Sequence, residues 1–70
     1  MLGKRIMAIR HQRGWTRRDL AEVTGLSIGY ITEIERGRMK PKLKTLVIIA
    51  ETLGIGIEEL KASKKFDETP

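Results

Sequence analysis

The stretch 16-TRRDLAEVTGLSIGYITEIERG-37 contains two short amphipathic segments separated by Gly25. Thr16 stands before the first segment as a helix cap, and Asp19 follows three residues later, where its carboxylate can bind back to the cap. Ser27 stands before the second segment in the same way. Glycine readily adopts the left-handed conformation that ends a helix. The stretch therefore predicts two helices whose connecting turn is too short to leave them collinear or antiparallel.

Apolar residues recur at three- and four-residue intervals on both sides of this stretch, which predicts helices there too. We expect helices over about 2–13, 17–24, 27–36, 43–53 and 57–62. The fourth helix is expected to carry six apolar residues on one broad face, and the fifth to place Leu60 on the core. The six are Leu43, Leu46, Val47, Ile49, Ala50 and Leu53. The chain is thus predicted to be all-α, with one domain over 1–62 and a polar, flexible tail over 63–70.

The composition excludes several classes of function. The chain has no cysteine and a single histidine, His11, so it offers neither a thiolate metal site nor a histidine-based triad. No apolar run approaches the roughly 20 residues of a membrane span. The carboxylate pairs Glu33/Glu35 and Glu58/Glu59 are too close in sequence for their members to share one helix face. We expect a cytoplasmic domain with no enzymatic activity, no metal and no cofactor.

Positive charge is concentrated in the first part of the chain. Residues 1–44 contain eleven basic and four acidic residues, whereas the remainder contains three basic and five acidic residues, for a net charge of +5. A basic front with a mildly acidic back indicates a polyanionic partner, and nucleic acid is favoured over anionic lipid. A solvated charged surface is the alternative interpretation of the same pattern.

Fifteen spaced positions carry a resemblance to a known family. They are Leu20, Ala21, Gly25, Leu26, Ser27, Ile31, Ile34, Glu35, Arg36, Gly37, Pro41, Leu46, Ala50, Leu53 and Gly54. The pattern resembles the lambda-repressor-like helix-turn-helix domains, and within them the Xre (xenobiotic response element) group of transcriptional regulators, over about residues 2–62. The resemblance implies a five-helix fold with the helix-turn-helix at about 17–36, binding to DNA and dimerisation.

Half of the third helix is predicted to pack through Ile31 and Ile34, and the other half to face outward. In the family the outward half enters the major groove, so the resemblance implies a base-facing set of Ile28, Gly29, Tyr30, Thr32 and Glu33. Relatives often have Gln, Arg, Lys or Asn on this face, so DNA shape is expected to carry part of the specificity here. Glu33 has two interpretations, as an acceptor for a cytosine amino group or as an exposed partner of a nearby arginine.

Phosphate contacts are predicted on both sides of that face. The candidates are Thr16, Arg17, Ser27, Arg36, Arg38, Lys40 and Lys42, at the starts of the two helices and around the basic loop that follows them. In the family an arginine near the end of the first helix pairs with the glutamate that closes the third helix. The resemblance therefore implies a structural ion pair between Arg10 and Glu35.

Ile48 is unusual because relatives have a polar residue at this place in the fourth helix. Together with Ile55 and Ile57 it predicts an apolar patch that is either a two-fold dimer interface or the site where the tail, through Phe66, folds back. The leading hypothesis is a sequence-specific, double-stranded DNA-binding transcriptional regulator that represses from a palindromic operator as a homodimer. The alternative is an antitoxin-like or adaptor module that uses the same fold mainly to bind a protein partner.

Overall fold

The computed structural model describes residues 2–61, and five α-helices account for most of them. The helices are α1 (Leu2–Gln12), α2 (Arg17–Thr24), α3 (Ile28–Glu35), α4 (Leu43–Leu53) and α5 (Ile57–Lys61). No strand occurs within this part of the chain. The prediction of an all-α, five-helix fold is confirmed, whereas the predicted tail over 63–70 lies outside the described residues.

Side-chain caps start α2 and α3 where the sequence predicts them. Thr16 Oγ1 accepts from the Asp19 N–H at 3.0 Å, and the Asp19 carboxylate accepts from the Thr16 N–H at 2.8 Å. The hydrogen bond that the carboxylate accepts from the Thr16 N–H is the main cause that lowers the pKa of Asp19 below its ordinary value. Gly25 ends α2 with φ of 78° and donates its N–H to the Ala21 carbonyl. Ser27 Oγ then accepts from the N–H three residues later, at 3.1 Å, and starts α3.

A single apolar core joins the five helices. Its buried members are Ile6, Ile9, Leu20, Ile31, Ile34, Leu46, Ile49, Ala50, Leu53 and Leu60. The helix α3 packs against α1 and α2, while α4 packs against α2 and α5, and α5 also contacts α1. The inner side of α3 is therefore occupied by α1 and α2, which leaves its other side available to a partner.

Only part of the predicted broad face of α4 is buried. Leu43 is 63% exposed and Val47 is 37% exposed, so both fall outside the core. The four buried residues of α4 cover an arc of about 100° around the helix axis, and the two exposed ones lie beyond one edge of that arc. The six residues share one side of α4 as the sequence predicts, but only four of them are buried.

None of the helices described over 2–61 combines the length and the apolar character needed to cross a membrane.

Candidate nucleic-acid interface

A buried carboxylate joins the first three helices at the end of α3. Glu35, the last residue of α3, is buried and accepts three hydrogen bonds from arginines. Arg10 on α1 donates through Nε (2.8 Å) and Nη2 (2.9 Å), and Arg17 on α2 donates through Nε (2.9 Å). The structure thus brings Arg10 and Glu35 together as the resemblance implies, and adds Arg17 as a second cation.

This network is held in place and charged. Burial by itself raises the pKa of the Glu35 carboxyl, but the hydrogen bonds and positive charges of Arg10 and Arg17 outweigh that effect and lower the pKa below its ordinary value. Glu35 is therefore an anion at neutral pH. Arg10 also donates Nη1 to the Trp15 carbonyl at 2.9 Å, which ties the loop between α1 and α2 to the same group. The start of α2 and the end of α3 are consequently fixed relative to each other.

The N-terminal turn of α1 lies directly against the end of α3. A β-carbon at Gly3 would overlap the backbone oxygens of Ile34 and Glu35, so only glycine permits this approach. Sequence reasoning missed this position. A signal was present, since a glycine inside an otherwise helical segment is unfavourable by about 1 kcal/mol and suggests a packing requirement.

Four of the five residues predicted to face bases lie on the uncovered side of α3. Ile28 is 43% exposed and Gly29 is exposed, with nothing near the place where its β-carbon would lie. Thr32 and Glu33 are half-buried. The Thr32 hydroxyl donates to the Ile28 carbonyl at 2.8 Å. These residues form the surface named here the outer face of α3.

Tyr30, the fifth residue of the predicted base-facing set, lies at the edge of the uncovered side of α3. Tyr30 is half-buried and packs against the apolar core. Its hydroxyl donates to Thr45 Oγ1 on α4 at 3.4 Å. Tyr30 lies next to the buried side of α3 around the helix axis, and α4 is close enough to receive its ring, so the ring packs rather than projects.

Basic side chains flank the outer face of α3 on both sides. Most of the predicted phosphate contacts are exposed, namely Thr16, Ser27, Arg36, Arg38, Lys40 and Lys42. The Arg38 N–H donates to the Glu33 carbonyl at 2.9 Å, which holds the basic loop against the end of α3. Arg38 Nη1 also lies 3.8 Å from Glu33 Oε2 in a loose, exposed ion pair. Of the two interpretations of Glu33, the structure thus contains the arginine pair in a weak form.

Arg17 departs from a purely phosphate-binding role, because its Nε is bonded to Glu35. One third of its side chain remains exposed. It lines a surface depression of about 530 Å³ that also includes Trp15, Thr16 and Arg18 at the start of α2. Met7, Arg10 and His11 complete the lining, but the Arg10 guanidinium is buried and paired with Glu35. An anion entering the depression would meet the cations of Arg17 and Arg18 at the positive end of α2.

The residues predicted to form a dimer patch are only partly exposed to a second copy of the chain. Ile55 and Ile57 are half-buried and pack against the core, and Ile48 is half-buried on α4. The exposed apolar residues nearby are Leu43 and Val47, on the same helix as Ile48. Phe66, the alternative cover for the patch, lies outside the described residues. The dimer prediction stays a prediction.

Within residues 2–61, no group of three or more His, Asp or Glu side chains is arranged to hold a metal ion. The uncovered helix face and its cationic borders offer a macromolecular partner a complementary shape and charge.

Comparison with known proteins shows the family to which the chain is related. A family model described as "Helix-turn-helix" matches residues 6–60. The chain is 35% identical over 65 residues to the HTH-type transcriptional regulator DdrOP3 of Deinococcus deserti, which covers 93% of this chain and 50% of that protein. It is 44% identical over 59 residues to the immunity repressor protein of Bacillus phage phi105, covering 84% of this chain and 41% of the repressor. The chain thus spans half or less of the length of these two relatives.

A solved structure agrees with the fold. The structure of SinR, the master regulator for biofilm formation, in complex with DNA superposes with a TM-score of 0.82 at 30% sequence identity. The superposition covers 86% of this chain and 97% of that one. The likeness therefore extends over nearly all of the SinR chain in that complex.

Proposed function

This chain belongs to the Xre, lambda-repressor-like helix-turn-helix family, and on that premise we propose that it is a transcriptional regulator that binds double-stranded DNA. The observation that carries the proposal is the uncovered outer face of α3, which lies between the basic start of α2 and the basic loop after α3. An α-helix fits the major groove, and cations on either side of it can reach the phosphates that border the groove.

The cations have different roles in this proposal. Arg36, Arg38, Lys40 and Lys42 are exposed and have side chains long enough to follow a phosphate backbone. Arg17 holds Glu35 with Nε and can present the rest of its guanidinium to a phosphate in the depression at the start of α2. Backbone N–H groups at the starts of α2 and α3 add donors, because the first N–H groups of a helix have no partner within it.

The salt dependence of DNA affinity tests this proposal. Fluorescence anisotropy with a labelled duplex between about 50 and about 300 mM KCl measures how the association constant falls with salt. If about six phosphates are neutralised, the logarithm of that constant should fall against the logarithm of salt with a slope near −5. A slope near zero would contradict the proposal.

A matched pair of variants assigns the contact to the basic loop. Lys40→Ala together with Lys42→Ala should make the slope shallower by about 2, since each phosphate contact contributes about 1. The control is Lys61→Ala, which removes a positive charge from α5, a helix that contacts α1 and α4. The control should leave the slope unchanged. If Lys61→Ala changes the slope as much as Lys40→Ala or Lys42→Ala does as a single variant, the basic loop is not the site of contact.

The finer form of the proposal is a homodimer that represses from a palindromic operator in the cytoplasm, without catalysis. The half-buried Ile48 and the exposed Val47 that precedes it, with the exposed Leu43 one turn before Val47, support a self-association surface on α4. A two-fold dimer would place two α3 helices about 34 Å apart, one turn of DNA. Sedimentation over a range of concentrations tests this form, and a monomer at every concentration, free and on DNA, would end it.

An antitoxin-like or adaptor role is the competing proposal, and the exposed apolar residues Ile28, Val23 and Met39 support it. It predicts that the chain co-purifies with a protein partner and shows no salt-dependent affinity for duplex DNA. The salt titration described above therefore separates the two functions directly.

A further inference from the structure

The outer face of α3 offers a restricted set of hydrogen-bonding groups. Gly29 has no side chain, and Ile28 presents only methyl and methylene groups. The Thr32 hydroxyl donates its hydrogen bond to the Ile28 carbonyl, so toward a base its oxygen can only accept a hydrogen bond. Glu33 carries a carboxylate, which is acceptor-only when ionised, and its side chain is 37% exposed.

The nearest cationic donors, Arg36 and Arg38, are exposed and follow the C-terminal end of this face, where they are the proposed phosphate contacts. The Tyr30 hydroxyl is bonded to Thr45 on α4. The Ser27 hydroxyl caps α3 by accepting from the Tyr30 N–H, at the N-terminal edge of the face rather than at its centre. The side chains at the centre of the face therefore combine acceptors with an apolar surface.

Base edges in the major groove respond differently to such a face. Guanine presents the acceptors N7 and O6, and thymine presents O4, so a carboxylate is repelled by both. Adenine has an amino donor but also the acceptor N7 beside it, whereas cytosine presents its N4 amino group without an acceptor of its own. Cytosine is consequently the best partner for a carboxylate, and the thymine C5-methyl group is the natural partner of an exposed isoleucine.

We propose that this chain reads cytosine through Glu33 and the thymine methyl group through Ile28, and that the Glu33 carboxylate rejects guanine and thymine at its own position. The inference rests on the proposed function and specifies its DNA sequence class. Arg38, 3.8 Å from the carboxylate, offsets part of the repulsion between Glu33 and the phosphates. The remaining repulsion weakens binding to every sequence that lacks the cytosine, and thus contributes to specificity by disfavouring wrong sites.

Selection of bound sequences from a random duplex pool tests the role of Glu33. The wild type should enrich a cytosine at one position of each half-site, with a preference of about 5- to 150-fold over the other bases. Glu33→Ala should lose that preference at that position alone and bind non-specific duplexes more tightly. Glu33→Gln should shift the preference there to adenine, because glutamine pairs with adenine through N6 and N7.

The control is Glu51→Ala, which removes the same charge from the exposed surface of α4. It should retain the full cytosine preference, and thermal melting should confirm that each variant is folded. The inference is overturned if Glu33→Ala keeps the wild-type preference at every position, or if the wild type enriches no cytosine. Salt-dependent binding with either of these results would leave the proposed function standing, whereas no duplex binding at all would remove both.

Replacing a thymine of the DNA by uracil tests the proposed contact of Ile28. Uracil in place of the contacted thymine removes only the C5-methyl group, and should weaken wild-type binding about fourfold, the value expected for one buried methyl. Ile28→Ala should bind the thymine and uracil duplexes equally. Equal binding of the two duplexes by the wild type at every thymine of the selected site would contradict the role of Ile28.

Discussion

Glu35→Ala is expected to destabilise the fold more than it directly affects the DNA-binding surface. The carboxylate is buried and accepts three hydrogen bonds from Arg10 and Arg17. Its removal leaves the buried guanidinium of Arg10 without a counter-charge, and the side chain of Arg10 is only 6% exposed. Water therefore has little access to replace the lost interactions.

The size of the effect follows from that burial. Breaking a buried ion pair by removing one partner costs about 3–5 kcal/mol. A domain of this length has a free energy of unfolding of roughly 3.5–10 kcal/mol. The variant should therefore lose about 30% or more of its stability. Its melting temperature should fall by about 12–40 °C, since each kcal/mol corresponds to about 4–8 °C in small domains.

Urea denaturation followed by circular dichroism measures the loss. Two further variants keep the test informative if Glu35→Ala does not fold. Arg17→Met removes one hydrogen bond from a partly exposed side chain and should cost about 0.5–1.5 kcal/mol. Arg10→Met combined with Glu35→Leu removes both buried charges and should recover most of the loss, because a buried ion pair can be replaced by apolar side chains at little cost.

The matched control is Glu51→Ala, an exposed glutamate on α4, which should change the stability by less than about 0.5 kcal/mol. The reasoning is refuted if the free energy of unfolding of Glu35→Ala lies within about 1 kcal/mol of the wild-type value and the variant nevertheless loses DNA binding. It is also refuted if the double variant is no more stable than Glu35→Ala.

Three other results are expected. Gly3→Ala should destabilise the fold by about 1–3 kcal/mol in urea denaturation, because its methyl group would meet the backbone of Ile34 and Glu35; an increase in stability would be inconsistent with that contact. Gly29→Ala should instead raise stability by about 0.5–1 kcal/mol, since its surroundings are open and alanine favours helix, and a loss of stability would show that they are not. The pKa of Glu35 is lower in the folded protein than its ordinary value of 4.5, so ionised Glu35 stabilises the fold fully above pH 4.5. That stabilisation is lost as the pH falls through the pKa of the folded state. The unfolding free energy should thus decrease from about pH 5 downward, and less steeply in Glu35→Gln; equal slopes in acid titrations of the two proteins would argue against this role.

The parts of this molecule that were predictable from sequence depend on neighbours within a few positions. The cap at Thr16 needs only Asp19 three residues later, and the turn at Gly25 needs only a residue that tolerates positive φ. The buried positions Leu20 and Ile31 follow from helical periodicity. Local hydrogen bonding and a 3.6-residue repeat are properties of the chain itself, so they can be recognised before any tertiary contact is known.

The resemblance extended prediction to one long-range contact. It implied that Arg10 and Glu35, which are 25 positions apart, form a pair, and the structure brings them together. Nothing in the residues between them indicates this contact. The role of Arg17 toward the same carboxylate was not anticipated, because a cation at a helix start is equally suited to a phosphate.

Tertiary structure alone decided which of two chemically suitable orientations each remaining side chain takes. The ring of Tyr30 turns toward Thr45 because α4 lies beside that edge of α3, and Gly3 is required because the end of α3 approaches α1. Leu43 is exposed although its helix is largely apolar, since the neighbouring helices cover only part of α4. Sequence by itself determined which segments are helical and where they begin and end. The sides that those helices cover depend on distances between elements far apart in the chain, and those distances are set by how the whole core packs.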